Sequence, residues 1–444
     1  MDSSIIPILM MLTLVVGLFM GLPLAFVLGG SATLFGLTVL GPQSLYVVTL
    51  GLYKIMTSYI LVAVPLFIFM ATLLERAGVA KGFFVGLRYL FGPVRGGAAI
   101  AAIIISTLFA ACTGVTGAAI MSVGVLALPV MLDMKYDKAL SAGVVGAGGT
   151  LGILIPPSIM LVMMGDQSGI SVGKLFVGAI VPGLVLSCLY MIYTLVVCYM
   201  RPELGPAMSS EDRASMPVLL RITYCVKYAL LPLLLILVVL GSIIAGVATP
   251  TEAAGIGALF AFIVMIIMRQ FSFEKLVESV RGTAKVTAMA LLIAAMASSF
   301  TAVFLCLGGG ELVVRLLQVF GTGKWAVFFM MMLITFVLGM FIDWIGIVFL
   351  LFPIFLPVAK EIGFDPVWFV IVMAINLQAS FLSPPFGYVL FYLKSISDQY
   401  LGGALDMASI YKGVVPFIII ILVSVAIVCI FPSVITWLPE MLIK

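Results

Sequence analysis

The chain has 444 residues, 64% of them hydrophobic, 9% charged and none of them histidine. That balance excludes a soluble globular fold, which could not hide so much apolar surface. The missing imidazole excludes serine–histidine catalysis and histidine proton relays. The net charge of +4 gives no ground for a nucleic-acid partner, because the basic residues follow topology. No GxxxxGK[ST] loop is present, so the chain does not itself hydrolyse ATP to drive a pump. The six cysteines lack CxxC spacing and sit mostly in apolar runs, as small packing residues. The N-terminus lacks a basic leader region, and its apolar run continues to about residue 40, which predicts no cleavable signal peptide.

A bilayer span needs about 20 predominantly apolar residues. In chain order the sequence predicts crossings near 5–22, 23–40, 58–75, 139–165 and 175–199. A polar loop, "RPELGPAMSSEDRASMP", follows at 201–217. Further crossings are predicted near 228–247, 250–268, 286–305, 366–393 and 413–435. Two apolar pairs, 97–133 and 325–359, are interrupted in the middle and read as hairpins. Two short amphipathic stretches, 80–92 and 311–321, are expected along the membrane interface.

The chain repeats itself. Residues 128–158 and 356–386 align without a gap at an offset of 228, with eight of 31 positions identical. The identities include Asp137 with Asp365 and the double prolines 156–157 with 384–385. Five crossings per half is an odd number, and a hairpin adds an even one, so the halves must be inserted upside down relative to each other. With the N-terminus outside, 16 of the 22 basic residues fall on inside loops, as cytoplasmic loops prefer. The fold expected is an all-α polytopic membrane protein of two inverted-topology repeats, each about five transmembrane helices plus a re-entrant hairpin. The expected organisation is a scaffold from 1–60 and 228–268, a cytoplasmic linker at 201–227, and arm, hairpin and broken-helix elements at 61–200 and 269–444.

Two segments break where no water can repair the break. "GAGGTLGILIPPS" (146–158) stands against the hairpin interruption "ACTGVTGAA" (110–118). "NLQASFLSPP" (376–385) stands against "GMFIDWIGI" (339–347). Glycine permits unusual dihedrals and close approach, and proline removes a donor and frees a carbonyl. Broken helices at membrane depth survive only when buried in protein or lining a cavity. Matched breaks in two inverted halves mark the binding site of a secondary transporter. Freed carbonyls suit Na⁺, and half-helix N-termini suit an anionic group. Thr113 and Thr116 can coordinate a cation or cap a half-helix, and Asn376, Gln378, Ser380 and Ser383 offer amides and hydroxyls. Thr116, Asp343, Asn376 and Gln378 are the candidates for substrate contact. Asp343 is the one acid in either tip, read as a functional intramembrane acid or as a cap of its hairpin. Glu252 in "TPTEAA" reads as a helix cap, and Asp166 and Gln167 lie just past the first break.

The stretches "GGTLGILIPPSIMLVMMG", "SVGKLFVGAIVPGLV", "GVATPTEAAGIGAL" and "SPPFGYVLFYLK" resemble the large membrane subunit of tripartite ATP-independent periplasmic (TRAP) transporters, the DctM-like family. The resemblance covers essentially the whole chain. It implies an elevator transporter of the ion-transporter superfamily in the bacterial inner membrane, with both termini periplasmic. It implies Na⁺ as coupling ion and no other cofactor. The implied partners are the lipid bilayer, a separate DctQ-like small membrane subunit, and a periplasmic binding protein delivering a small organic anion, a carboxylate by preference. Carried onto matching positions, the first sodium site takes Thr113 and the carbonyls of Gly152, Ile155 and Pro157. The repeat offset maps the last three to Ser380, Ser383 and Pro385, beside the 339–343 tip. Family tips are often serine-rich, and Cys-Thr-Gly-Val-Thr-Gly here departs from that pattern. The alternatives are a stand-alone Na⁺-coupled di- or tricarboxylate carrier of the same superfamily and, from another class, a channel.

Overall fold

A computed structural model describes residues 5–114, 116–317, 321, 323–384 and 387–443. Every regular element among them is helical. The first half runs α1 (Ile5–Phe19), α2 (Leu24–Phe35), α3 (Ser44–Met56), α4 (Ala63–Arg76), α5 (Val79–Leu90), α6 (Gly97–Thr113), α7 (Thr116–Asp133), α8 (Lys138–Thr150), α9 (Ile159–Ser168) and α10 (Val172–Met200). A short α11 (Ser210–Ala214) lies in the linker. The second half runs α12 (Val218–Ile244), α13 (Pro250–Ile267), α14 (Phe273–Cys306), α15 (Gly309–Leu317), α16 (Lys324–Gly339), α17 (Trp344–Glu361), α18 (Pro366–Leu382), α19 (Tyr388–Tyr400), α20 (Met407–Ile430) and α21 (Ser433–Leu442). Seven of these helices are long and apolar enough to cross a membrane, or eight if α3 and α4, bent by 57° at their junction, count as one span. The chain is a multi-pass membrane protein.

The helix order of the second half copies that of the first, from α1 with α12 through to α10 with α20. Local chemistry repeats too. Asp137 caps α8 by accepting from the Leu140 N–H at 2.9 Å. Asp365 caps α18 by accepting from the Trp368 N–H at 2.8 Å. The aligned aspartates therefore do the same work, satisfying a first-turn donor that the helix itself cannot.

Packing between the halves is reciprocal. α7 lies against α19 while α17 lies against α9, and α13 lies against α4 while α2 lies against α14. Such an exchange is the mark of a two-fold relation. Thr150 and Gln378, which are repeat partners at an offset of 228, touch each other at 3.4 Å. A residue that meets its own counterpart lies on the two-fold axis. Counterpart helices also run antiparallel. In the α3–α4 and α14 pair, Gly51 packs on Ser299, Thr72 meets Thr283 at 3.5 Å, and Arg76 pairs with Glu278. In the α8 and α18 pair, Gly146 approaches Leu382 while Thr150 meets Gln378.

The core sits where the broken helices are. Every residue from 139 to 165 is buried, as is every residue from 368 to 383. By contrast α1 and α12 carry exposed apolar faces, including Leu12, Val16, Leu219 and Leu237, as lipid- or partner-facing helices must. The sequence-based boundaries shift in three places. Residues 44–56 are helical although no element was expected there. α12 starts at Val218 rather than 228, directly after Pro217, whose missing N–H suits a helix start. α14 begins at Phe273, well before 286. The amphipathic stretches are α5 and α15, and α5 packs on α12, where Gly82 and Gly86 leave room for Tyr228 and Cys225.

Because the two aspartate caps serve different helices and share no partner, Asp137→Ala and Asp365→Ala should each cost about 1 kcal/mol and add in the double variant. Thermal unfolding of the purified protein in detergent checks this.

Candidate functional site

Both hairpin tips abut the breaks. Gly114, between α6 and α7, adopts φ +59, and a methyl group there would lie 3.3 Å from the Pro157 carbonyl oxygen and 3.0 Å from the Ile159 nitrogen. The first tip thus rests directly on the first break. Gly339, the last residue of α16, rests on the second: a methyl group there would collide with Ser380 Oγ. Only glycine permits either approach without displacement.

The breaks expose oxygens in a controlled way. At the first, Ser158 Oγ donates to the Ile153 carbonyl at 2.6 Å and accepts from the Leu161 N–H at 3.4 Å. Among the described residues no backbone hydrogen bond ends on the carbonyls of Ile155 or Pro157. At the second, Ser380 Oγ donates to the Leu377 carbonyl at 2.7 Å and Ser383 Oγ to the Ala379 carbonyl at 2.8 Å. Both hydroxyl oxygens keep lone pairs. The helices that end here, α6 with α8 and α16 with α18, bring the negative ends of their dipoles. Such carbonyl and hydroxyl oxygens are hard donors of the kind a hard cation takes. The side chain of Thr113, and Pro385 as a whole, lie outside the described residues.

Between the tips and α1, α2, α4 and α14 lies a cavity of about 390 Å³. Its wall includes the first residues of four helices: Thr116 and Gly117 of α7, Ile159 of α9, Trp344 and Ile345 of α17, and Tyr388 of α19. Four helix N-termini, each carrying roughly half a positive charge, therefore converge on one space. The opposite wall is apolar, with Leu18, Leu24, Val64, Ile68 and Ile293.

Asp343 occupies the N-cap position of α17, with its carboxylate near the N–H groups of Trp344 and Ile345. It faces Tyr388 and Tyr392. Thr116 Oγ1 and Tyr388 Oη are neighbours, yet both are buried without completing a hydrogen bond of normal geometry. Gly117 makes room for Tyr392, since a methyl group there would lie 2.8 Å from its hydroxyl.

The structure thus brings together Thr116 and Asp343 on the cavity, and sets the first tip on Pro157 and the second on Ser380. Gly152 and Ile155 belong to the same break as Pro157, and Ser383 directly follows the end of α18. It separates Asn376 and Gln378 from the cavity. Asn376 donates from Nδ2 to the Met332 carbonyl at 2.8 Å and borders a lateral groove with Phe336 and Leu422. Gln378 sits fully buried on the two-fold axis. Asp166 accepts from Ser58 Oγ at 2.5 Å and from Gln167 Nε2 at 2.7 Å, tying the end of α9 to the α3–α4 bend. Glu252 forms a capping box with Thr249, as expected of a cap. The residues not foreseen are Tyr388, Tyr392, Trp344 and the tip glycines. The signal for Tyr388 was available: it opens the helix after the second break, where Ile159 opens the helix after the first.

Comparison with known proteins adds the following. Residues 11–434 match the family model described as "Tripartite ATP-independent periplasmic transporter, DctM component". The chain is 32% identical over 409 residues to the C4-dicarboxylate TRAP transporter large permease protein DctM of Pseudomonas aeruginosa, covering 91% of this chain and 92% of that one. It is 29% identical over 421 residues to the isethionate TRAP transporter permease protein DctMQ of Oleidesulfovibrio alaskensis, covering 94% of this chain and 64% of that one. Among solved structures, the Alcanivorax borkumensis YdaH transporter superposes with a TM-score of 0.59 at 16% identity, covering 88% of each chain, a likeness of fold alone.

Gly339→Ala should destabilise the protein by about 1–3 kcal/mol, because the new methyl collides with Ser380. Adding Ser380→Gly should recover most of that loss, as read from the unfolding midpoint.

Proposed function

Because the chain belongs to the DctM-component family of tripartite ATP-independent periplasmic transporters, we propose that it is the large membrane subunit of a Na⁺-coupled importer. Members of this family are transport permeases, not enzymes. The substrate is a small organic anion, handed over by a periplasmic binding protein. A small, DctQ-like membrane subunit is its partner in the membrane. The protein works in the bacterial inner membrane, with both termini on the periplasmic side.

The observation that carries this reading is the shared geometry of the two breaks. Each pairs a hairpin tip with a broken helix, so helix C-termini and freed carbonyls collect at two places while four N-termini collect at the cavity between them. The first places favour a cation and the cavity favours an anion. Thr116, Tyr388 and the N–H groups at the starts of α7 and α19 would hold the anion. Gly152, Ile155 and Pro157 with Thr113, and Ser380, Ser383 and Pro385 with the 339–343 tip, would hold Na⁺. Bound Na⁺ orders the tips and favours the conformation that accepts the substrate.

The antiparallel run of counterpart helices supports inverted insertion of the halves. In an elevator motion the hairpins and broken helices slide as one body against α1, α2, α12 and α13. The smooth apolar wall of the cavity suits such sliding, because it offers the moving body no polar partner to lose.

Uptake by proteoliposomes containing the large and small subunits, with binding protein supplied outside, should fall to background when K⁺ replaces Na⁺. Uptake indifferent to the Na⁺ gradient overturns the coupling. Full uptake without the binding protein would favour a stand-alone carrier. Gly114→Ala should raise the Na⁺ concentration for half-maximal uptake about tenfold, since a side chain at positive φ costs roughly 1–2 kcal/mol.

A further inference from the structure

We infer that the cavity takes a monocarboxylate with a largely apolar body, such as an aromatic or branched-chain acid, in preference to a dicarboxylate. This rests on reading the cavity as the substrate site. The first ground is charge. Among the described residues the wall carries no lysine or arginine, and its one ionisable acid, Asp343, is negative when charged. Asp343 stands at the N-terminus of α17 and brings a negative group to that start, and the start of α9 is capped by Ser158, which accepts from the Leu161 N–H. The starts of α7 and α19 carry no acid, and both line the cavity. They suffice for one carboxylate. A second would have to give up its water with no cation to replace it and would sit in the field of Asp343.

The second ground is the unpartnered hydroxyls. Thr116 is 1% exposed, and its Oγ1 and Tyr388 Oη neighbour each other with no other protein partner. Both line the cavity at the helix starts, so this hydroxyl pair can donate to an incoming acceptor group. The third ground is what faces them. Leu18, Leu24, Val64, Ile68 and Ile293 offer only hydrocarbon side chains. A second polar end would find no side-chain hydrogen-bond partner on that wall. A volume of about 390 Å³ suits a compact ligand rather than an extended one.

The test is equilibrium binding of radiolabelled 3-phenylpropanoate and radiolabelled succinate to the full-length protein in detergent, in saturating Na⁺. 3-Phenylpropanoate should bind at least tenfold more tightly than succinate. Tyr388→Phe and Thr116→Ala should each weaken 3-phenylpropanoate several-fold. Asp343→Asn should narrow the gap by improving succinate. Gel filtration and the unfolding midpoint identify any variant that fails to fold, and the wild-type comparison stands without the variants. Succinate binding as tightly as 3-phenylpropanoate, or better, overturns the inference and leaves the site assignment intact. Binding of neither acid, in Na⁺ as in choline, overturns both.

Discussion

A peptide group in the bilayer core must find a partner within the protein, and this one requirement organises the molecule. Two helices break in the most buried part of the chain, and each break is tolerated because a hairpin tip covers it. The cover works only at contact distance, which is why glycine stands at 114 and 339. The cover leaves carbonyl oxygens without hydrogens at Ile155 and Pro157, and that unmet need is what the proposed cation would answer.

The two-fold relation turns one such device into two. Each hairpin's second helix packs against the helix that follows the other half's break, so neither half completes its site alone. Helix ends then sort by polarity. C-termini gather at the tips, and N-termini gather in the cavity between them. Any positive potential there comes from backbone dipoles, since the described wall carries no formal positive charge and one acid, Asp343.

Much of this was legible in the sequence, because prolines and glycines at fixed spacing survive in a repeat even where apolar side chains interchange freely. The breaks, hairpins, amphipathic arms and the Glu252 cap all rest on such local chemistry, and the aligned aspartates 137 and 365 were visible as a repeat though not as caps. Which way a side chain points was not legible in helices that are apolar all round. Asn376 and Gln378 lie two residues apart, on different faces of α18, and neither reaches the cavity. With no polar stripe in α18, periodicity offered no orientation. Residues 44–56 were missed because they are short and less apolar than a span, and they cross only together with α4 across a bend.

The contact between Thr150 and Gln378 has a bearing on symmetry. In a pair of identical chains joined about a two-fold axis, a residue on the axis can meet only its own twin. A hydroxyl facing an amide at that point needs two copies whose sequences differ, as the halves of this one chain do. The contact is therefore one that no pair of identical chains could make.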